Sequence, residues 1–185
     1  IFPERSEEFR AAVQTGLRYA NALNCKRIHC MAGILNGINE EIATETFIEN
    51  IAYAAAEANK YGITILIEPI NPFDIPGYFL TDIHDAYRLL KGIDASNVQL
   101  QYDFYHMQRL QGNLINTFQR YQPDIGHIQI ADVPGRHEPG TGEIHYENII
   151  KRLEDLSYDG YVGLEYTPSG KSDDSFHWLE GIKGG

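Results

Sequence analysis

The chain has 185 residues, of which 43% are hydrophobic and 22% are charged, and its net charge is −11. This length and composition predict one globular domain covering residues 1–185. The acidic charge argues against nucleic acid as a partner, because phosphate binding needs a basic face, and no apolar run is long enough for a membrane span. With only two cysteines, Cys25 and Cys30, and no signal peptide, we expect a reducing, cytoplasmic location.

Helix-like and strand-like patterns alternate along the whole chain. Strands are predicted at Arg27–Gly33, Thr64–Ile70, Val98–Phe104, Ile125–Asp132 and Tyr161–Pro168. Helices are predicted at Glu7–Asn24, Glu40–Tyr61, Asp82–Gly92, about Leu110–Tyr121, Tyr146–Leu156 and Ser172–Gly181. Strands that alternate with helices are typical of an α/β fold with a parallel sheet.

The number of strands raises a question about barrel closure. Five βα units do not close a (β/α)₈ barrel, which needs eight. The sequence begins with a loop-like segment, Ile1-Phe2-Pro3, directly before a helix, so we expect about three further βα units at the N-terminal side of a TIM barrel. A five-stranded open sheet is the alternative, but it would lack the usual glycine-rich nucleotide loop.

Oxygen-bearing side chains end four successive strand-like runs: Glu68, Asp103, Gln129 and Glu165. In α/β barrels the carboxyl ends of the strands carry the chemistry, so these four groups are expected to share one site. Carboxylate and amide oxygens are hard ligands, which suit a divalent cation such as Mg²⁺ or Mn²⁺.

The alternation of side chains along each strand supports this expectation. Side chains point to opposite faces in turn, so residues two apart share a face. If Asp103 faces the barrel axis, Gln99 and Gln101 do as well, while Val98, Leu100 and Tyr102 face the helices. In all four strands the outward set is apolar and the inward set holds the polar residues. By the same rule, His29 faces inward on the first strand and His127 lies one layer below Gln129.

The segments around these residues resemble hydroxypyruvate isomerases, a branch of the xylose-isomerase-like TIM barrels. They are Ile67–Gly77, Gln101–Gln108, His127–Ile144 and Gly163–Tyr166. The resemblance covers nearly the whole chain, and it separates the superfamily better than it separates this branch from 2-oxo-tetronate isomerases. It implies one divalent metal held by Glu68, Asp103, Gln129 and Glu165, an acid/base pair formed by the two glutamates, and a substrate-binding role for His106.

Two positions depart from related patterns. Xylose isomerases place a lysine three residues after the first metal glutamate, where this chain has Asn71, and hydroxypyruvate isomerases often read E-Y-K-P where it has Thr167. The xylose isomerase route for sugars is therefore not expected. Asn71 takes the lysine's place in the expected substrate-binding set.

Several further residues are candidates for the site. Arg136 could bind a substrate carboxylate through two hydrogen bonds, or could be a surface residue paired with Glu138 or Glu143. His127 and His29 are expected to lie behind the ligands and to orient them. The loop residues Phe73, Tyr78 and Phe79 could form a lid, or could pack against a helix or a second subunit.

The residues and the resemblance together predict an isomerase that interconverts hydroxypyruvate and tartronate semialdehyde, or a closely related small 2-oxo or hydroxy acid. A sugar-acid isomerase or epimerase, an inosose-type dehydratase, and an inactive barrel fragment are the alternatives. A zinc phosphodiesterase of the apurinic endonuclease type would need several metal-binding histidines and a basic face. A homo-oligomer is compatible with the sequence, because the strand at Arg27–Gly33 would leave an exposed sheet edge.

Overall fold

The computed structural model describes residues 1–182, which form alternating helices and strands. The strands are β1 (Arg27–His29), β2 (Thr64–Ile67), β3 (Val98–Asp103), β4 (Ile125–Ile130) and β5 (Val162–Leu164). The α-helices are α1 (Ser6–Ala22), α2 (Glu40–Asn59), α3 (Ile83–Ile93), α4 (Phe104–Leu110), α5 (Leu114–Tyr121), α6 (Tyr146–Asp155) and α7 (Trp178–Ile182). Short 3₁₀ helices lie at Pro3–Arg5, Gln122–Asp124 and Ser172–Phe176. No helix within this described range is long and apolar enough to cross a bilayer.

The strands follow one another in the sheet in the order β1-β2-β3-β4-β5. The pairs β1–β2, β2–β3 and β4–β5 are parallel. Parallel neighbours need a crossover, which the helices between the strands provide. The predicted α/β class, with five βα units, is confirmed.

The chain divides into two compact units, and β3 and β4 each begin in the first and end in the second. The first unit comprises residues 1–101 and 124–126, and the second comprises residues 102–123 and 127–182 of the described chain. The prediction that residues 1–185 form one domain therefore stays a prediction.

In the first unit the two faces of the sheet agree with the alternation rule. His29 lies opposite Leu66 in register, and Leu66 lies opposite Gln99, so all three share one face. On the other face the Ile28 side chain reaches within 4.0 Å of the position that a β-carbon on Gly16 of α1 would occupy. The apolar set therefore packs against the helices, as predicted.

The second unit has an aromatic core between the sheet and α5. Tyr102, Phe104 and Phe118 stack with ring centroids 4.9 to 6.0 Å apart, and the Tyr102 hydroxyl donates to the Leu114 carbonyl at 2.8 Å. All three rings are almost fully buried. Burial of such large rings supplies much of the apolar stabilisation of this unit.

Some predicted boundaries were wrong, because hydrogen bonds between side chains and backbone amides change where elements begin and end. The first strand ends at His29 and not at Gly33, since the next residues bond to the loop after β2: the Ala32 amide donates to the Tyr78 hydroxyl at 2.8 Å. The helix expected from about Leu110 begins at Leu114 as α5, and a further helix, α4, precedes it. α4 begins directly after Asp103, whose carboxylate accepts the Tyr105 amide at the first turn of the helix.

Candidate active site

Glu68 follows β2 directly and is 4% exposed. The Gln101 side-chain amide donates to Glu68 Oε2 at 2.8 Å, and His29 Nδ1 lies 3.5 Å from the same oxygen. Burial lowers the pKa of His29 to about 4, so its imidazole is neutral near pH 7. His29 thus lies beside Glu68 in the first unit, and its role in orienting a metal ligand stays a prediction.

Gln101 is a site residue that the sequence predictions left out. The alternation rule had placed it on the inward face of β3, and that was the only signal. Its role depends on the carboxylate that it contacts, which lies 33 positions away in the sequence. A buried carboxylate that accepts a hydrogen bond from a fixed amide keeps one orientation.

Asn71 organises the loop that follows β2. It is fully buried, and its side-chain oxygen accepts the amides of Phe73 and Asp74 at 3.1 and 3.0 Å. These bonds form an Asx turn, which holds the loop close to the end of the strand. The substrate-binding role of Asn71 stays a prediction.

Two of the three aromatic residues that could form a lid, Tyr78 and Phe79, lie in the same loop and are packed inside the first unit. Tyr78 is buried, with its hydroxyl bonded to the Ala32 amide, and Phe79 packs on the Phe47 ring of α2 with centroids 5.5 Å apart. Both residues therefore follow the packing alternative and not the lid. Phe73 remains exposed at the turn of the loop.

Asp103, the last residue of β3, is the most perturbed acid of the second unit. Its side chain is fully buried, and burial raises the pKa of the carboxyl to about 7. The Tyr105 amide at 2.9 Å and the Arg136 guanidinium lower the pKa only in part, and Glu165 raises it. Oδ2 makes no hydrogen bond within residues 1–182, although His106 Nε2 lies 3.6 Å away.

Arg136 connects two of the predicted metal-ligand carboxylates. Its guanidinium donates to Glu165 Oε2 at 3.0 Å and lies 3.7 Å from Asp103 Oδ2. It also lies over the Tyr105 ring, 5.0 Å from the centroid. The predicted carboxylate-binding arginine thus lies beside the predicted acid/base residue, where it could meet an anionic substrate.

His127 and Gln129, the two predicted site residues of β4, lie on the same face of the sheet, next to Gly163 of β5. Gln129 lies opposite Gly163 in register, and a β-carbon on Gly163 would come within 2.9 Å of His127 Nε2. A larger residue at this position would displace the imidazole. His127 and Gln129 thus both lie next to Gly163, and the supporting role of His127 stays a prediction.

Asp132 is a second residue that the predictions missed. It is 1% exposed, and its Oδ1 accepts the amides of Val133 and Ile144 at 2.9 and 3.0 Å. Its Oδ2 accepts the amides of Gly140 and Gly142, each at 2.9 Å. Four backbone donors on one carboxylate fix both ends of the loop that carries Arg136. Backbone partners of this kind leave no signature in the sequence.

The donor set fits a hard divalent cation. Glu68, Asp103, Gln129 and Glu165 offer oxygen ligands only, as Mg²⁺ and Mn²⁺ prefer. The buried Asp103 Oδ2, which makes no hydrogen bond in the described part of the chain, is the kind of atom that a cation would satisfy. In the second unit Asp103 and Glu165 meet through Arg136, while Glu68 is held by its own partners in the first unit.

The family model described as "Xylose isomerase-like TIM barrel" matches residues 2–182 of this chain. The chain belongs to this family. It is 45% identical over 179 residues to hydroxypyruvate isomerase of Escherichia coli and 40% identical over 179 residues to 2-oxo-tetronate isomerase of Cupriavidus necator. Each alignment covers 96% of this chain and 69% of the relative.

A solved structure gives the same family assignment. A crystal structure described as AP endonuclease, family 2, from Brucella melitensis superposes with a TM-score of 0.95 at 40% identity, covering 97% of this chain and 70% of that one. The predicted TIM-barrel family and the predicted isomerase class are confirmed by these relatives.

Proposed function

We propose that the protein isomerises small 2-oxo acids and interconverts hydroxypyruvate and tartronate semialdehyde, with one divalent cation, Mg²⁺ or Mn²⁺. The observation that carries the proposal is the position of Arg136, which lies within 3.0 Å of Glu165 and 3.7 Å of Asp103. A cationic group for a substrate carboxylate thereby adjoins a candidate base. The isomerase names of the relatives support the same reaction class.

The reaction moves a carbonyl group between neighbouring carbons. One glutamate, Glu68 or Glu165, takes a proton from the hydroxymethyl carbon of hydroxypyruvate, and the electron pair moves onto the carbonyl oxygen. The other glutamate returns a proton to the former carbonyl carbon, while the proton of the neighbouring hydroxyl passes to the oxygen of the former carbonyl, which becomes a hydroxyl and leaves an aldehyde on the neighbour. The reverse reaction exchanges the two roles.

The ligands of the cation would be Glu68, Asp103, Gln129 and Glu165. The chemistry that a bound cation supplies is Lewis-acid stabilisation of the negative charge on the substrate oxygens. Gln101 orients one Glu68 oxygen through its 2.8 Å hydrogen bond. His106, buried in α4, is the proposed hydrogen-bond donor to a substrate oxygen.

A longer oxo acid is the alternative substrate, and the cytoplasm is the proposed location. Relatives named 2-oxo-tetronate isomerase, at 40% identity, favour a longer oxo acid as the second candidate. A small acid, and not nucleic acid, is the proposed substrate because the net charge is −11. The cytoplasm is the proposed location because Cys25 and Cys30 are both free thiols.

The test is an isomerisation assay of the purified protein with each acid after EDTA treatment, with and without added Mn²⁺ or Mg²⁺. Proton NMR should show the aldehyde product only when cation is present, and formation of a dehydrated product would instead assign a lyase. Cleavage of abasic-site DNA without isomerisation would assign the nuclease suggested by the description of the Brucella protein.

Two variants test the residue roles. Glu165→Gln should lower kcat by about a hundredfold or more, because a neutral amide cannot move the proton. Arg136→Ala should raise KM for the acid substrate. Glu154→Ala, at an exposed position on α6, is the matched control and should leave both constants unchanged. Full activity of Glu165→Gln would remove the acid/base assignment, and an unchanged KM for Arg136→Ala would remove the carboxylate site.

A further inference from the structure

We infer that Glu138 is a positioning residue, which fastens the 133–145 loop to Ser169 and so holds Arg136 beside Glu165. The 133–145 loop is the segment between β4 and α6, starting after Asp132. The inference rests on the proposed function, in which Arg136 receives the substrate carboxylate. It adds a residue, two positions after Arg136 in the loop, that sets the position of this receptor.

The base of the loop is fixed independently of Glu138. Asp132 accepts four backbone amides, two of which belong to Gly140 and Gly142 at the far side of the loop. The Asp132 amide also donates to the His137 carbonyl at 2.8 Å, and the Arg136 amide donates to the Asp132 carbonyl at 2.9 Å. The loop is thus closed on itself, but none of these bonds ties it to the chain after β5.

Glu138 supplies such a tie. Its Oε2 accepts the Ser169 amide at 2.9 Å, and its Oε1 accepts the Ser169 hydroxyl. These two bonds lower the pKa of the Glu138 carboxyl, so it is ionised at neutral pH. A charged acceptor with two donors on one residue makes a directional connection, even at an exposed position.

Further hydrogen bonds join the 133–145 loop to the segment after β5, along a line of contacts that we call the seam. The Thr167 amide donates to the Arg136 carbonyl at 2.9 Å, and His137 Nδ1 lies 2.6 Å from the Thr167 carbonyl oxygen. The contacts of the loop therefore fall on Glu165, Thr167 and Ser169, every second residue of the segment after β5. Glu138 makes the outermost of these contacts.

The seam matters because of the backbone and side chain of Arg136. Its φ is 55°, in the left-handed region that non-glycine residues rarely adopt, so the surrounding bonds must hold it there. Its side chain is 31% exposed and would have many rotamers if the backbone could move. Release at Glu138 leaves the Arg136 backbone bonds to Asp132 and Thr167 in place but loosens the loop beside them, so Arg136 should spend more time away from Glu165 without unfolding of the unit.

The experiment compares Glu138→Ala, Ser169→Ala and the double variant with Glu154→Ala as the control. We expect Glu138→Ala to raise KM for the acid substrate about tenfold and to change kcat less than about threefold, with an unchanged melting temperature. Glu138→Gln, which keeps one acceptor oxygen, should recover part of the loss. The double variant should be no worse than Glu138→Ala alone, because Glu138→Ala already removes both bonds to Ser169, whereas Ser169→Ala removes only the hydroxyl bond.

Several results would overturn the inference. An unchanged KM in Glu138→Ala, additive effects in the double variant, or a KM rise that only follows a lower melting temperature would each show that the contact does not position Arg136. A Glu154→Ala variant with the same KM rise would show a general charge effect.

A second readout separates this inference from the proposed function. The side-chain Nε–H signal of Arg136 can be assigned by NMR from its loss in Arg136→Lys, whether or not the protein isomerises anything. It should shift in Glu138→Ala and stay in place in Glu154→Ala. If the wild type has no isomerase activity but the signal shifts, the proposed function fails and the positioning role stands. If the signal does not move, the positioning role fails.

Discussion

Replacing Asp103 with asparagine should stabilise the metal-free protein at neutral and alkaline pH. The wild-type carboxyl is fully buried, and burial raises its pKa from 3.8 to about 7. Above pH 7 the folded protein therefore carries a buried negative charge that its surroundings compensate only in part. Asparagine keeps the Oδ1 acceptor for the Tyr105 amide but removes this charge.

The sign follows from proton binding. The folded state holds the Asp103 proton up to about pH 7, whereas the unfolded state releases it near the ordinary value of 3.8. The free energy of unfolding of the wild type should thus fall, relative to that of the variant, by about 1.4 kcal/mol for each pH unit within this window. Above pH 7 the difference should level off at about 4 kcal/mol, with relaxation around the charge reducing it.

The assay is urea unfolding of both proteins in EDTA at pH 5.5, 6.5, 7.5 and 8.5, with Asp159→Asn as the control at an exposed position. The stability difference between wild type and Asp103→Asn should grow with pH and then become constant, while the control stays near zero. A difference that does not depend on pH, or a variant less stable than wild type at pH 8.5, would refute the burial argument. Added Mn²⁺ should stabilise the wild type more than the variant.

Three further substitutions test packing and site support. Gly142→Ala should destabilise by about 2 kcal/mol or more, because the new β-carbon would overlap a backbone carbonyl of the same loop, whereas Gly170→Ala has open space and should be neutral; urea midpoints compare them. Gln101→Leu should cost about 1 to 3 kcal/mol and lower kcat, since it removes a donor from the buried Glu68; equal stability and activity would refute the pairing. Phe118→Ala should cost about 3 to 5 kcal/mol in thermal unfolding, and a loss below 1 kcal/mol would show that the aromatic core repacks.

The sequence predicted the site best where strand geometry determined the answer. Alternation along β2 and β3 placed Gln101 and Glu68 on one face, and the two residues are hydrogen-bonded there. The same rule placed Tyr102 toward the helices, where it packs on Phe118 of α5. Period-two burial follows directly from strand geometry, so one sequence is enough to read it.

The predictions were weaker where a side chain bonds to the backbone of a distant segment. The sequence predicts Asp132 only as the last residue of a strand, yet its carboxylate accepts four amides of the following loop. Arg136 was weighed against pairing with Glu138 or Glu143. In the structure Glu138 accepts from Ser169, and Glu143 accepts from Gln108. Arg136 instead donates to Glu165. These choices depend on loop conformation, which the local pattern of residue types does not encode.

The energetics of Asp103 connect the site to the proposed cation. The Tyr105 amide and the Arg136 guanidinium both favour the ionised carboxylate, but burial outweighs them and leaves the pKa near 7. A protein gains no stability from burying such a carboxylate at the end of a strand, and asparagine would serve the cap of α4 equally well. A cation that binds only the folded state would offset this cost, because it would add the positive charge that Arg136 supplies only in part. We therefore propose that the position of Asp103 serves ligand binding and not folding. Asp103→Asn should therefore lose Mn²⁺ affinity, measured by calorimetry, and gain stability in the metal-free state. Both changes in one variant would show that Asp103 lowers folding stability and contributes to cation binding.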